Sequence, residues 1–170
     1  MLQRVKESME DPVKYYGFPI RVEPVEDTFI LVKSSYAGKA MVQSRIGEIY
    51  TSLHQYLDSI HYTGRAEKMF HVDSLSRDSV QVMAGLSLEK RIAVKPPFRL
   101  MTMPRAHIVV GDYEGDYNNI YRIHQAVIAY MKDHNIMPVA IVYEKMLSDP
   151  HTAEDSLHVR VKVYHPPMIP

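Results

Sequence analysis

The chain contains no cysteine in its 170 residues, which removes disulfide staples, thiolate metal sites and a cysteine nucleophile together. Tryptophan is also absent, and with it the best ring for stacking on a cation. There is no excess of either charge. Lys and Arg number 20 and Asp and Glu number 20, so no global basic field speaks for nucleic acid. No apolar run approaches the ~20 residues that span a bilayer, and residues 1–12 are too charged for the apolar core of a signal peptide. A cytoplasmic chain without a membrane segment is the resulting expectation. At this length one domain, or two small halves sharing a core, is expected.

What is present is an echo. Tyr36-Ala37-Gly38 returns as Tyr113-Glu114-Gly115, and Asp78-Ser79-Val80-Gln81-Val82 returns as Asp155-Ser156-Leu157-His158-Val159, both at an offset of 77. Between them Ile46, Ile49, Leu53, Tyr56 and Leu57 match Ile120, Ile123, Val127, Tyr130 and Met131 at an offset of 74. Loops absorb such length differences more readily than packed faces do. A degenerate tandem repeat is therefore expected, with repeat one at about 28–94 and repeat two at about 98–167.

Residues 1–27 read as an N-terminal helical segment (Leu2, Val5 and Met9 on one side) and a leading strand over Tyr15–Val25. Phe29–Lys33 is a β-branched strand. The 3- and 4-residue spacing of Ile46, Ile49, Leu53, Tyr56, Leu57 and Ile60 predicts a helix over 42–59, followed by strands at 69–72 and 79–86. Lys95-Pro96-Pro97 separates the halves, since prolines neither donate backbone bonds nor tolerate helix before them. Strands at 98–103 and 107–110, a helix at 119–134 and strands at 139–146 and 156–165 follow. The fold class read from this order is α+β. A strand-helix-strand-strand unit is duplicated with pseudo-twofold symmetry, and two helices pack on one face of an antiparallel sheet.

In the last strand Leu157, Val159, Val161 and Val163 alternate with His158, Arg160, Lys162 and Tyr164. The first set is assigned to the helices and the second to the opposite face. The corresponding face of the first repeat offers Gln81, Met83 and Gly85, with Gly85 marking a bulge or a close backbone approach. A groove between the repeats with one apolar and one basic wall would suit a small molecule. The other reading of the basic row is a solvated sheet face.

Met103-Pro104-Arg105-Ala106-His107-Ile108-Val109-Val110, then Gly115-Asp116-Tyr117, a helix ending near His134, and Glu144-Lys145-Met146-Leu147-Ser148-Asp149-Pro150 resemble the effector-binding domain of the GyrI-like family over about residues 28–167. The resemblance implies two strand-helix-strand-strand units and the binding of small-molecule effectors, as in the sensing domains of AraC-type and MerR-type transcription regulators. Gyrase-modulating proteins and hydrolases of small reactive electrophiles also belong to the family. Its last strand usually presents a glutamate in mid-groove, and here that place falls on Arg160 or Lys162. The tyrosine expected after Glu144 is Met146.

With the sign of the groove reversed, an anionic ligand is the sharper expectation, because Arg donates a planar pair of bonds to a carboxylate. The candidate ligand-binding residues are Tyr36, Met83, Tyr113, Tyr117, Tyr143, Glu144, Arg160, Lys162 and Tyr164; each tyrosine reads equally as a core residue with a bonded hydroxyl. Glu144 reads as a partner for a groove cation or as the solvated end of a strand.

The nine histidines show no metal-ligand spacing, with His71, His124 and His158 reading as edge or core residues. No positioned serine and no phosphate-cradling loop occurs. No catalytic residue, metal or other cofactor is therefore expected. Three functions remain: a non-enzymatic sensing or sequestering domain, a hydrolase of small electrophiles, and a protein-interaction module for a gyrase or a regulatory partner. The first is preferred, with no direct nucleic-acid contact, since residues 1–12 are too short to carry a helix-turn-helix.

Overall fold

Asp11 and Gly17 settle the first element among the described residues. The Asp11 side chain accepts from Lys14 N at 3.0 Å, Pro12 occupies the first turn and Gly17 closes the helix at φ 80°, the three signals that start and stop a short helix. Helix α1 is thus Pro12–Tyr16. This corrects the strand expected from Tyr15: the caps override a weak alternation, and strand β1 is Ile20–Pro24. The computed structural model describes residues 11–26, 28–103, 106–138, 141–147 and 158–168. Leu2–Met9, Pro104-Arg105, Ser148-Asp149-Pro150 and Asp155-Ser156-Leu157 lie outside these.

The described residues form two units, one of residues 25–103 and one that joins 11–24 to 106–168. Both are α+β with antiparallel pairing. Unit one contains β2 (Phe29–Gly38), α2 (Val42–Ser59), β3 (Ala66–Ser74), β4 (Ser79–Leu88) and β5 (Arg99–Thr102), in the sheet order β3-β4-β2-β5. Strand β5, which the sequence reading placed at the head of the second repeat, pairs with β2 from Phe29↔Thr102 to Val32↔Arg99. Helix α2 has the expected bounds and buries Ile46, Ile49, Leu53 and Leu57.

Lys33 Nζ donates to Ser52 Oγ at 2.9 Å and Lys68 Nζ lies 5.4 Å from the Tyr50 ring. Ser52 and Tyr50 are on α2, so Lys33, Lys68 and their register partners Ala84 and Leu86 face the helix. Gln81, Met83 and Gly85 face away from it, by alternation. Gly85 pairs in unbroken register with Val32 and Met69, so there is no bulge. A Cβ there would lie 2.9 Å from Ile30 Cγ2 and Val32 Cγ1, the close-approach reading.

Unit two contains α1 and β1, then β6 (His107–Gly115), α3 (Tyr121–Asp133), β7 (Met137–Pro138), β8 (Tyr143–Met146), β9 (Val159–His165) and β10 (Pro167–Met168). Its sheet order is β1-β6-β9-β8, with β7 and β10 paired separately. Ile123, Val127, Tyr130 and Met131 of α3 are buried against Ile20, Val109, Tyr113, Val159, Val161 and Val163. Gly111 makes that contact close. A Cβ on it would meet Ile123 Cδ1 at 2.8 Å and Val127 Cγ2 at 2.9 Å. Helix α1 docks on the far end of α3, where Tyr16 OH donates to Asp133 Oδ2 at 3.1 Å.

The order strand, helix, strand, strand occurs in both units, but the Tyr-x-Gly anchors sit differently in their ladders. Tyr36 pairs with Gln81 and Tyr113 with Val161, where an offset of 77 from Gln81 would give His158. An odd displacement turns a side chain to the opposite face. Tyr36 accordingly faces away from α2 and is 67% exposed, while Tyr113 faces α3 and is 6% exposed.

Candidate functional site

Four titratable side chains of unit two join in one chain of hydrogen bonds. Tyr117 OH donates to Glu144 Oε2 at 2.8 Å, Glu144 Oε1 lies 3.0 Å from His124 Nε2, and His124 Nδ1 lies 3.0 Å from His165 Nε2. Each is placed by a separate piece of local structure. Gly115, at φ 147°, turns the chain out of β6 in a conformation that disfavours a side chain. Asp116 Oδ1 accepts from Asn118 N at 2.9 Å and Asp116 O accepts from Tyr113 OH at 2.6 Å, fixing the 3₁₀ turn Tyr117–Asn119. His124 follows Ile123, whose side chain sits over Gly111. Glu144 is opposite Val163 and so faces α3. His165, two residues after Val163 and opposite Val109, faces the same way.

His165 is 2% exposed. Burial, and then the neighbouring His124, lower its pKa to about 4, so it is neutral at physiological pH. With both rings neutral, one proton assignment satisfies every contact: His165 Nε2–H donates to His124 Nδ1, and His124 Nε2–H donates to Glu144. Every bond runs toward the carboxylate, which also accepts from Tyr117. The Glu144 and His124 side chains keep 14% and 22% exposure. The arrangement is a partly accessible carboxylate held by a hydroxyl and an imidazole, chemistry that can accept a proton or hold a cation.

The opposite face of the unit two sheet carries Tyr143, Arg160, Lys162 and Tyr164. Tyr143 and Tyr164 stand opposite one another and stack with centroids 4.7 Å apart and planes 5° from parallel. Both are buried, Arg160 is exposed and Lys162 is half-buried. Lys162 lies in register between Asp112 of β6 and Lys145 of β8, and Arg160 lies opposite Glu114. These acids have further partners. Asp112 bonds Arg21, and Glu114 Oε1 lies 3.0 Å from His158 Nε2.

The nine residues singled out in the sequence therefore fall in four places. Tyr117 and Glu144 are together beneath α3, and Tyr143, Arg160, Lys162 and Tyr164 share the opposite face. Tyr113 is in the core of unit two, where burial and then Asp116 raise its hydroxyl pKa. Tyr36 and Met83 are in unit one, on the face away from α2. Glu144 binds a tyrosine and a histidine on the helix side. His124 and His165 were not selected, although a signal existed: His165 continues the alternation Val159, Val161, Val163 into the buried phase. A cleft of about 420 Å³ lined by Ile128, Met131, Lys132, Asn135, Ile136, Met137 and Pro138 holds none of these groups. Among the described residues no helix is long and apolar enough to cross a membrane.

No family model matches the sequence, and no curated protein matches it. Solved structures do match in fold. EcmrR in complex with DNA aligns with a TM-score of 0.77 and 11% identity, over 98% of this chain and 64% of the EcmrR chain, so the chain spans about two thirds of EcmrR. The EcmrR C-terminal domain aligns with a TM-score of 0.73 and 10% identity, over 89% of this chain and 98% of the domain. A hydrolase from Listeria innocua aligns with a TM-score of 0.63 and 13% identity, over 95% and 98%. The fold is therefore that of the EcmrR C-terminal domain.

Proposed function

We propose that this chain is a small-molecule-binding domain, of effector-sensing or sequestering type, that favours a ligand with an anionic group. The observation that carries the reading is the face shared by Lys162, Arg160 and the buried Tyr143/Tyr164 stack: the stacked rings fix the strands that carry the two cations, and cationic donors held beside apolar groups suit an anionic ligand. The resemblance of the sequence motifs to GyrI-like effector-binding domains supports ligand binding as the activity. The test uses benzoate, naphthoate and their uncharged amides as probes in calorimetric titration. Carboxylates are expected to bind at least about tenfold more tightly than the amides, as one charge-assisted bond implies. Arg160→Glu with Lys162→Glu is expected to erase the difference. Preferential binding of the amides, or of a quaternary ammonium probe, overturns the anionic preference.

A second reading, hydrolysis of a small electrophile, is favoured by Glu144, a carboxylate suited to act as general base between Tyr117 and His124. The similarity to a Listeria hydrolase agrees with it. Phenyl glycidyl ether, a reactive epoxide, is the probe. Under this reading Glu144→Gln lowers turnover by about 10²-fold or more; hydrolysis at the same rate in the variant, or at the uncatalysed rate in the wild type, removes the reading.

A further inference from the structure

The His124–His165 contact has a stereochemical limit on the protons it can hold. Its two facing nitrogens lie 3.0 Å apart, and a hydrogen bond at that distance needs one donor and one lone pair. With both rings neutral, His165 donates and His124 accepts. With one added proton, His124 Nδ1–H donates to the Nε2 lone pair of a His165 whose other nitrogen carries the hydrogen, and the imidazolium stays beside Glu144. A second proton turns both facing nitrogens into donors, and no rotation of a proton between them restores an acceptor.

We propose that this pair is an acid-operated latch between helix α3 and strand β9, closed with zero or one added proton and opened by the second. The latch ties elements distant in sequence. His124 is on α3, His165 ends β9, Glu144 is on β8 and Tyr117 is in the turn that leads into α3. Of the elements packed around His165, α3 presents His124, β8 presents Glu144 beyond it, and β6 presents the apolar Val109 opposite. Glu144 thus compensates the first added charge. Burial of His165 defers the opening to acid well below neutrality. The first segment released is the one the chain holds down, the Tyr117–Asn119 turn and the first turns of α3. No ligand is required for this response.

Hydrogen exchange of the unliganded protein tests it, with rates corrected for the intrinsic effect of pH on exchange. Between about pH 7 and pH 4.5, amides of residues 117–127 are expected to lose about tenfold or more in protection, while those of α2 in unit one change by less than about threefold. Equal loss in both helices, or no loss in α3, overturns the latch. His165→Gln keeps a donor for His124 Nδ1 but takes up no proton, so its α3 protection is expected to be insensitive to acid over this range. A wild-type response in that variant also overturns the proposal. Should His165→Gln not fold, His165→Asn serves instead, a second neutral amide that takes up no proton, with the same two outcomes deciding.

Discussion

Ile123→Ala is expected to lower the unfolding free energy by about 3 kcal/mol, within the range of about 2–5 kcal/mol for truncation of a fully buried isoleucine. Ile123 has no exposure and packs over Gly111 at a distance too short for any Cβ, so the sheet below cannot rise to fill the space. The same contact gives a sharper version of the experiment. Gly111→Ala places a methyl 2.8 Å from Ile123 Cδ1 and 2.9 Å from Val127 Cγ2, and such overpacking costs about 1–3 kcal/mol. Ile123→Val removes the nearer of those atoms. Combined with Gly111→Ala it is expected to cost less than the sum of the two single changes by about 0.5–1 kcal/mol, the coupling seen for residues in contact. Denaturant titration of the four proteins measures the cycle, and additivity within about 0.3 kcal/mol would mean that this close approach does not set the helix position.

The second large effect is a loss of stability in acid through His165. Its folded-state pKa of about 4 lies below the unfolded value of about 6.5. Between those two values the unfolded chain binds a proton that the folded protein refuses, so stability falls as the pH falls. The contribution is complete above about pH 6.5, is lost progressively below it, and levels off once the folded protein takes up the proton near 4. That gap corresponds to about 3 kcal/mol, most of it gone by about pH 4.5. Carboxylates add their own acid sensitivity, so the decisive quantity is the difference between wild type and His165→Gln. The variant is expected to be flatter across this window by most of that amount. Coincident stability curves would show that the ring is not held neutral.

Periodicity was the most legible part of the sequence. The 3- and 4-residue spacing located α2, and the alternation along β9 assigned Val159, Val161 and Val163 to the helix side. Both signals come from many residues agreeing on one phase. Strand β8 has no such signal. Tyr143 and Met146 are largely apolar and Glu144 and Lys145 are charged, an order without alternation, so nothing local says which pair faces α3, and the face of Glu144 depends on its pairing with β9. Exposure was less legible than facing. Tyr164 lies on the face opposite the helix, as the alternation requires, yet it is 6% exposed. Strand partners were the least legible, since pairing is not written in either strand alone. Strand β5 follows two prolines that look like a boundary, but it hydrogen-bonds backward to β2. The Tyr-x-Gly anchors failed for a related reason: triplets of the same pattern entered their ladders three residues out of step, and an odd step exchanges core for surface.

The backward pairing of β5 and the forward pairing of β1 together define how the chain is nested. Strand β1 belongs with β6, some 85 residues later in register, so residues 25–103 interrupt a unit that has already begun and resumes after them. Unit one is in this sense an insertion, and unit two is its host. A cut at Lys95-Pro96-Pro97, where composition suggests a linker, would deprive unit one of β5 and unit two of β1 in a single stroke. The seams that leave both sheets whole lie near residues 25 and 105, and the halves of this protein are separated by excision rather than by division.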